Sequence, residues 1–506
     1  MTWRGRAAGR AGAADLDVIL RRHRRTMPSA GVSTRGGRCV RVPFSRARRT
    51  TGRSMSRLTS ADQSQTEVPP KAPGRAVLLL CFAVGETDAR AEPKDPHRMR
   101  RRPALGRAGW LCCAVLWCAV LCNAAAASAA RRVVVLGGSG RVGGSTAAWI
   151  HRLARREGLD LSLAIAGRER GNYDRSIARL GLPADEVEFV RADVDGPFEA
   201  LVSAFEGSAL VVHTAGPFQG RTRPDVLRAA LAARAAYVDV CDEWPLARTA
   251  REELSAGAAE AGSAAVVCAG IWPGVSALMA AEAVSRLGDE IESLDFSFFT
   301  AGSGNAGPTI VSATFLLLAQ AALTLDAGAI AEREPWTDDR VADFGPSVGE
   351  RRCWLLDNPD VPTCHASLPA LRGASVASRF GTSPGAWNYL FGGFKTLVPR
   401  DLLSDADAMM NVAKFSTPVI RAVDALVGAT NAMRVDAVGS GGKRVTLRVA
   451  HDDLEMCVGL ATAAFAAELL RGDSVRPGVW YPAELEPDAR ARILERVREG
   501  AIVWDV

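Results

Sequence analysis

RRVVVLGGSGRVGGSTAAWIHRLARR, residues 131–156, decides the fold. Val133, Val134, Val135 and Leu136 form an unbroken apolar run, as a parallel strand covered on both faces requires. Gly137, Gly138, Gly140 and Gly143 follow at once, and apolar residues then recur at helical spacing through Ala147, Ala148, Ile150 and Leu153. The order is strand, glycine turn, helix. In this reading Gly138 makes the tight turn, Gly140 lets the backbone approach a ligand, and Gly143 lets helix and strand pack closely. A helix that opens on such a turn presents unpaired N–H groups and a partial positive charge, which suits a diphosphate. Ser139, Arg141 and Val142 lie in the same loop and join the predicted contacts. A lone G-x-G-x-x-G is weak evidence, but between a strand and a helix it is strong.

The alternation continues with LSLAIAGRER, EVEFVRADV, ALVVHTAG, AAYVDV and AAVVCAG, separated by helical stretches. Strands alternating with helices imply right-handed crossovers and a parallel sheet, so residues 131–285 read as a doubly wound Rossmann domain. The second strand ends in Gly167 and Arg168, where a cofactor without a 2′-phosphate is usually met by Asp or Glu. A guanidinium there can hold a phosphate by charge-assisted bonds. The expected cofactor is therefore NADP(H), with NAD(H) as second choice. Asp193 and Val194, after the third strand, are placed beside the adenine. Ala215, Gly216, Pro217 and Phe218, after the fourth, are placed at the nicotinamide end.

HTAGPFQG, YVDVCDEW and GIWPGVSALMA carry a resemblance to the saccharopine dehydrogenase-like oxidoreductases. That family shows a GGxGxxG turn, a Gly-Arg after the second strand, an Ala-Gly-Pro-aromatic loop, a Tyr-x-Asp segment and a Gly-x-x-Pro-Gly turn. Here these fall at residues 137–143, 167–168, 215–218, 237–239 and 270–274, and PGVWYPAEL (477–485) resembles the closing segment. The resemblance implies a Rossmann domain, then an α+β domain, with C-terminal helices returning to the core. It also implies an NAD(P)-dependent oxidoreductase acting on a small organic substrate of the amino acid, imine or carbonyl class. Two departures stand out: His213 replaces a small or amide residue, and Cys-Asp-Glu-Trp replaces Thr-Gly-Glu.

The remaining chain divides by charge. Residues 1–130 hold 24 Lys and Arg against 8 Asp and Glu, which leaves 38 against 48 in the remainder. The body is acidic, which argues against a nucleic-acid partner. Residues 1–98 read as a disordered basic leader. Residues 99–130 have a basic head, an apolar core LCCAVLWCAVLC and small residues after it, the layout of a signal peptide or anchor. A secretory or plastid route, or membrane attachment through residues 108–127, would follow. Six of the eleven cysteines precede residue 131, and Cys241, Cys268, Cys353, Cys364 and Cys457 are scattered beyond it. Their spacing offers neither a disulfide framework nor a metal site, and reduced thiols are expected.

Beyond residue 285, IESLDFSFFT, RCWLLD, GASVASRFG, NAMRVDAVG and KRVTLRVA read as strands, the last two joined by a GSGG hairpin. Helices are expected over 314–325, 454–470 and 487–498. An antiparallel sheet with helices on one face makes residues 286–450 a substrate or homodimerisation domain, and 451–506 pack back. Catalytic residues are not legible. Tyr173, Tyr237, Tyr389 and Tyr481 are followed four positions later by Ile177, Cys241, Gly393 and Leu485, so a Tyr-x-x-x-Lys pair is absent. His213, Asp242, Glu243, Cys241 and His451 with Asp452 remain as proton or nucleophile candidates. The simpler reading makes His213 a core imidazole, Cys241 an inert thiol, and the acidic residues helix caps. A non-catalytic, regulatory or membrane-associated NADP(H) binder is the other function class consistent with these residues.

Overall fold

A computed structural model describes residues 130–288, 290–302 and 307–506. The leader and the signal-like segment, residues 1–129, lie outside the described residues. Six strands come first: β1 (Arg131–Leu136), β2 (Leu161–Gly167), β3 (Val187–Arg191), β4 (Ser208–His213), β5 (Ala236–Asp239) and β6 (Ala264–Val266). They form a parallel sheet in the order β6-β5-β4-β1-β2-β3. The chain therefore leaves β1 in two opposite directions, which opens a crevice beyond the strand C-termini.

Strand alternation assigns the apolar side chains to two cores. Val133, Val135, Leu163 and Ile165 point into one, and Val134, Leu136, Ala164 and Ala166 into the other. Each of the three β1 valines is 0% exposed, which explains why the run shows no polar interruption.

The second sheet contains β7 (Ile291–Ala301), β8 (Ala322–Asp326), β9 (Ala329–Arg333), β10 (Arg340–Asp343), β11 (Glu350–Leu355), β12 (Ser375–Ser383), β13 (Thr430–Gly439) and β14 (Arg444–His451). It is mixed. The pairs β10–β11, β11–β12, β7–β13 and β13–β14 are antiparallel, whereas β12 runs parallel to β7 over its whole length. The physical reason is the long connection between them, which includes the helix Asp360–Ser367 and brings the chain back in its original direction. Phe296, Phe298, Met433 and Val435 from this sheet join the same core as Val133 and Val135.

Three helical segments depart from the periodicity reading. The helix expected over 314–325 ends early: Pro308–Leu317 is helical, and β8 begins at Ala322. Gln320 occupies the turn between them, and Leu323 N–H bonds to Asp357 instead of continuing a helix. Helices Ala386–Leu397 and Ala406–Val427 are additions, since their apolar faces are only partly covered and read poorly as core stripes.

The C-terminal segment belongs to both sheets. β15 (Gly478–Trp480) extends the first sheet beyond β6, and β16 (Ala501–Asp505) extends the second beyond β14. Between β14 and β15, the helix Leu454–Arg471 lies against the helix Arg141–Glu157 that follows β1. Gly459 makes that approach feasible, because a Cβ there would meet Ser145 Oγ at 2.3 Å. A buried ion network locks the same corner. Glu468, 0% exposed, accepts from Arg496 Nη1 at 2.5 Å and from Arg492 Nη2 at 2.8 Å. Arg496 also clasps Glu157 through Nε and Nη2 at 2.7 and 2.8 Å.

Arg496→Ala leaves Glu468 buried with half its partners, at a cost of about 3–5 kcal/mol in urea unfolding. Desolvation alone would raise the Glu468 pKa, but hydrogen bonds from Arg492 and Arg496 hold it below its ordinary value. Its stabilisation is thus present above the carboxylate range and is lost as pH falls through the lowered pKa. The gap between variant and native should shrink in acid.

Candidate functional site

The turn after β1 is shaped by close contacts. Gly137 has φ +83°, and a Cβ on it would lie 2.8 Å from the amide nitrogen of Ala215. The left-handed position of the tight turn is therefore Gly137 rather than Gly138. Gly138 is constrained by space instead: its Cβ would meet Val135 O at 2.9 Å and Ile165 Cγ1 at 3.0 Å. Gly143 is tighter still, since a Cβ would stand 2.3 Å from Gly137 O and 2.4 Å from Thr214 Oγ1. Gly140 N–H donates to Gly137 O at 2.8 Å and closes the turn, while Gly140 itself is exposed. The helix Arg141–Glu157 then starts with no side-chain cap and no acidic residue in its first turn. Among the described residues, the amides of Arg141, Val142 and Gly143 have no backbone acceptor. A helix start left uncapped in this way can receive an anion.

Ser139 lies against the end of β2, where a Cβ on Gly167 would come within 3.1 Å of its Oγ. Arg168 is next in the chain, exposed, and without an ion-pair partner among the described residues. Its neighbour Arg170 is committed, pairing with Asp174 at 3.2 Å and lying over the Tyr173 ring. The Arg141 side chain is committed as well. Its Nη2 meets Glu455 Oε2 at 2.7 Å, and Arg179 Nη1 meets the other oxygen at 2.6 Å. Arg141 therefore faces the turn with its backbone, not its charge. After β3, Asp193 is exposed and its Oδ1 accepts from Asp195 N–H at 3.2 Å, with Val194 half-buried beside it.

Beyond β4, Thr214 Oγ1 donates to Leu136 O at 2.8 Å and ties the loop of Ala215, Gly216 and Pro217 to the glycine turn. His213 turns inward. Its Nδ1 lies 2.9 Å from Tyr237 Oη, and Tyr237 donates to Asp239 Oδ2 at 3.0 Å. Because the tyrosine gives its one hydrogen to Asp239, Nδ1 carries its proton and Nε2 is a bare acceptor without a partner. Burial holds the imidazole down at about 3, so it is neutral at any physiological pH. Asp239 Oδ1 accepts from Cys241 and Cys268 N–H at 3.1 and 2.8 Å, which joins the ends of β5 and β6. Burial pushes both of those thiols upward in pKa, and all five described cysteines are free.

The loop after β5 meets the second domain. Glu243 is the N-cap residue of the helix Trp244–Glu260, but its side chain does not cap it. Instead Glu243 Oε2 accepts from Gln320 Nε2 at 3.3 Å. Burial raises Glu243 to about 7 and Asp242 to about 6. His451 is buried, its pKa lowered to about 4 by burial, while Asp453 caps the next helix by accepting from Met456 N–H at 3.0 Å. Sequence reasoning missed Thr214, Gln320 and Glu455. Only Thr214 had a signal, directly following His213 in the quoted loop. Among the described residues no group of His, Cys, Asp and Glu is arranged to hold a metal ion, and no helix is long and apolar enough to cross a membrane.

Residues 133–268 match the saccharopine dehydrogenase NADP binding domain, so this part of the chain is an NADP(H)-binding domain of that type. No curated protein sequence matches the chain. Among solved structures, the apo saccharopine dehydrogenase (L-Glu forming) of Saccharomyces cerevisiae is 15% identical. It matches over 73% of this chain and 97% of its own, with a TM-score of 0.51, which supports a shared fold. An amine dehydrogenase from Mycobacterium smegmatis is 10% identical over 71% of this chain and 95% of its own, with a TM-score of 0.37. A probable dehydrogenase from Thermotoga maritima is 12% identical over 72% and 94%, with a TM-score of 0.33. Neither of the latter two adds to the fold argument.

Gly143→Ala should force Gly137 O and Thr214 Oγ1 apart at an overpacking cost of about 1–3 kcal/mol. Titration of NADPH fluorescence should show affinity falling roughly ten- to hundredfold while circular dichroism stays native.

Proposed function

We propose that the chain is an oxidoreductase that passes hydride between NADP(H) and a small organic substrate of the amino acid, imine or carbonyl class. The observation that carries this reading is the uncapped helix start at Gly140, reached through a glycine turn with no room for side chains. In this reading the backbone of residues 137–143, with Ser139, holds the diphosphate. Arg168 takes the 2′-phosphate, Asp193 and Val194 flank the adenine, and Ala215, Gly216 and Pro217 border the nicotinamide. The fit rests on the steric hollow over Gly137 and Gly143, on the unpaired first-turn amides, and on the uncommitted charge of Arg168.

When bound, the nicotinamide supplies or accepts hydride. The chain must then move one proton at the substrate's heteroatom. His213 is a poor choice, because both its proton and its ring face the core. Glu243 is better suited: its carboxyl titrates near 7, within the range where a group can both give and take a proton. Gln320 fixes one of its oxygens from the opposite domain.

NADPH consumption by the full chain, screened against imines, oxo acids and carbonyl compounds, tests the activity. A broad panel without turnover, with NADPH still bound, would favour the non-catalytic binder. Arg168→Ala should weaken NADPH roughly ten- to hundredfold and leave NADH nearly unchanged, since only the former carries the 2′-phosphate. Equal losses would remove Arg168 from the site. Glu243→Gln should lower kcat by about 10²–10⁴ without changing NADPH affinity. In the reductive direction the acid must be protonated, so native kcat should fall as pH rises through about 7. The variant should lose that dependence.

A further inference from the structure

Two carbonyls of the glycine turn are held from outside it, both by the helix Arg170–Leu180. Ser176 Oγ–H donates to Gly138 O at 3.4 Å, and Arg179 Nη2 donates to Gly140 O at 3.3 Å. Gly140 O also takes the first bond of the next helix, from Gly144 N–H at 3.1 Å, so Arg179 is its second donor. In a planar trans peptide the C=O and the following N–H point in opposite directions. Fixing Gly138 O therefore fixes the direction of the Ser139 amide, and fixing Gly140 O fixes that of the Arg141 amide. Among the described residues neither amide has a backbone acceptor, so both are free to donate to an anion over the turn.

Holding a long side chain in one pose costs rotamer freedom. For Arg179 that order comes from Glu455. Its Nη1 meets Glu455 Oε1 at 2.6 Å while Nη2 reaches Gly140, so both ends of one planar guanidinium are fixed together. Glu455 is 4% exposed and lies in the first turn of the helix Leu454–Arg471. Its other oxygen takes Arg141 Nη2 at 2.7 Å. The neighbouring Met456 Sδ is 3.6 Å from Ser145 Oγ, and Gly459 packs on the same serine. A close helix contact thus carries the carboxylate. From it, a continuous line of contacts runs through Arg179 to the backbone of the turn.

We propose that Arg179 and Glu455 are positioning residues for the dinucleotide: Glu455 holds Arg179 against the Gly140 carbonyl, and Arg179 thereby aims the Arg141 amide at the diphosphate. Neither side chain touches the cofactor in this arrangement. Dinucleotide binding is coupled through them to the docking of the helix Leu454–Arg471, whose Glu455 lies 276 positions beyond Arg179. The proposal rests on the reading of the turn as the diphosphate site and adds two residues outside the glycine motif. Charge alone gives the opposite expectation, because loss of Glu455 would release two guanidinium groups beside an anion and tighten binding. Loss of aim weakens it. The sign of the effect separates the two.

Calorimetric titration of the full chain with 2′-phospho-ADP-ribose, which carries the diphosphate, and with 2′-AMP, which does not, tests the assignment. Arg179→Met and Glu455→Met should each weaken the first ligand about tenfold, the effect of one lost charge-assisted bond, and leave the second within about twofold. The double variant should lose no more than either single one, because both cut the same line of contacts. Glu455→Gln keeps one acceptor oxygen and should lose less than Glu455→Met. If Arg179→Met does not fold, the Glu455 variants still decide, since both arginines keep access to water without their partner. Equal weakening of both ligands is what a merely structural role would produce, and it would overturn the proposal. Unchanged or tighter binding of 2′-phospho-ADP-ribose in Glu455→Met would do so too. A native chain that bound neither ligand would sink the cofactor reading itself, and the proposal with it.

Discussion

The contact on which the nucleotide edge depends is the approach of Gly143 to the Gly137 carbonyl and the Thr214 hydroxyl, too close for any Cβ. It sets where the first helix begins and therefore where its free amides point. The next two residues face other neighbours under similar restriction. A Cβ on Gly144 would crowd Arg179, Leu180 and Ser176 at 2.9 Å, and Ser145 leaves room for the helix Leu454–Arg471 only because Gly459 opposes it. Three successive small residues thus seat one helix against a turn, a second helix and the helix Leu454–Arg471. Close packing, together with the bonds from Gly140 N–H to Gly137 O and from the Thr214 hydroxyl to Leu136 O, fixes the geometry of this loop.

Charge is distributed around that packed centre in a consistent way. Glu455, almost fully buried, draws in the guanidinium groups of Arg141 and Arg179. This removes two cations that would otherwise compete near the turn and leaves Arg168 beyond β2 uncommitted. On the other side of the sheet, burial leaves acids without arginines between the two domains.

The sequence made the first sheet legible because strands buried on both faces are continuous apolar runs. The glycine spacing carried the turn, although it did not distinguish Gly137, whose left-handed backbone is needed, from Gly138, which only lacks space. The second sheet was legible as strands but not as pairings. The parallel match of β12 to β7 is set by a long connection whose path leaves no periodic trace. The break after Leu317 was missed because the apolar run continues through it while the backbone changes state. Gln320, Asp357 and Glu455 carry no local pattern. Each matters through a residue distant in sequence, and only the folded chain brings the partners together.

The first sheet begins at Arg131 but gains its last strand at Gly478–Trp480, and the helix before that strand covers the helix opening on the glycine turn. A ribosome releases these pieces well after the first six strands. A nascent chain that has already emerged through β6 still exposes the apolar surface that this helix will cover. The first six strands must therefore wait, partly assembled, until the helix Leu454–Arg471 has been made. Fragments cut at the apparent boundary after the first six strands inherit the same gap, and aggregation of such fragments reports the missing cover rather than an unstable turn.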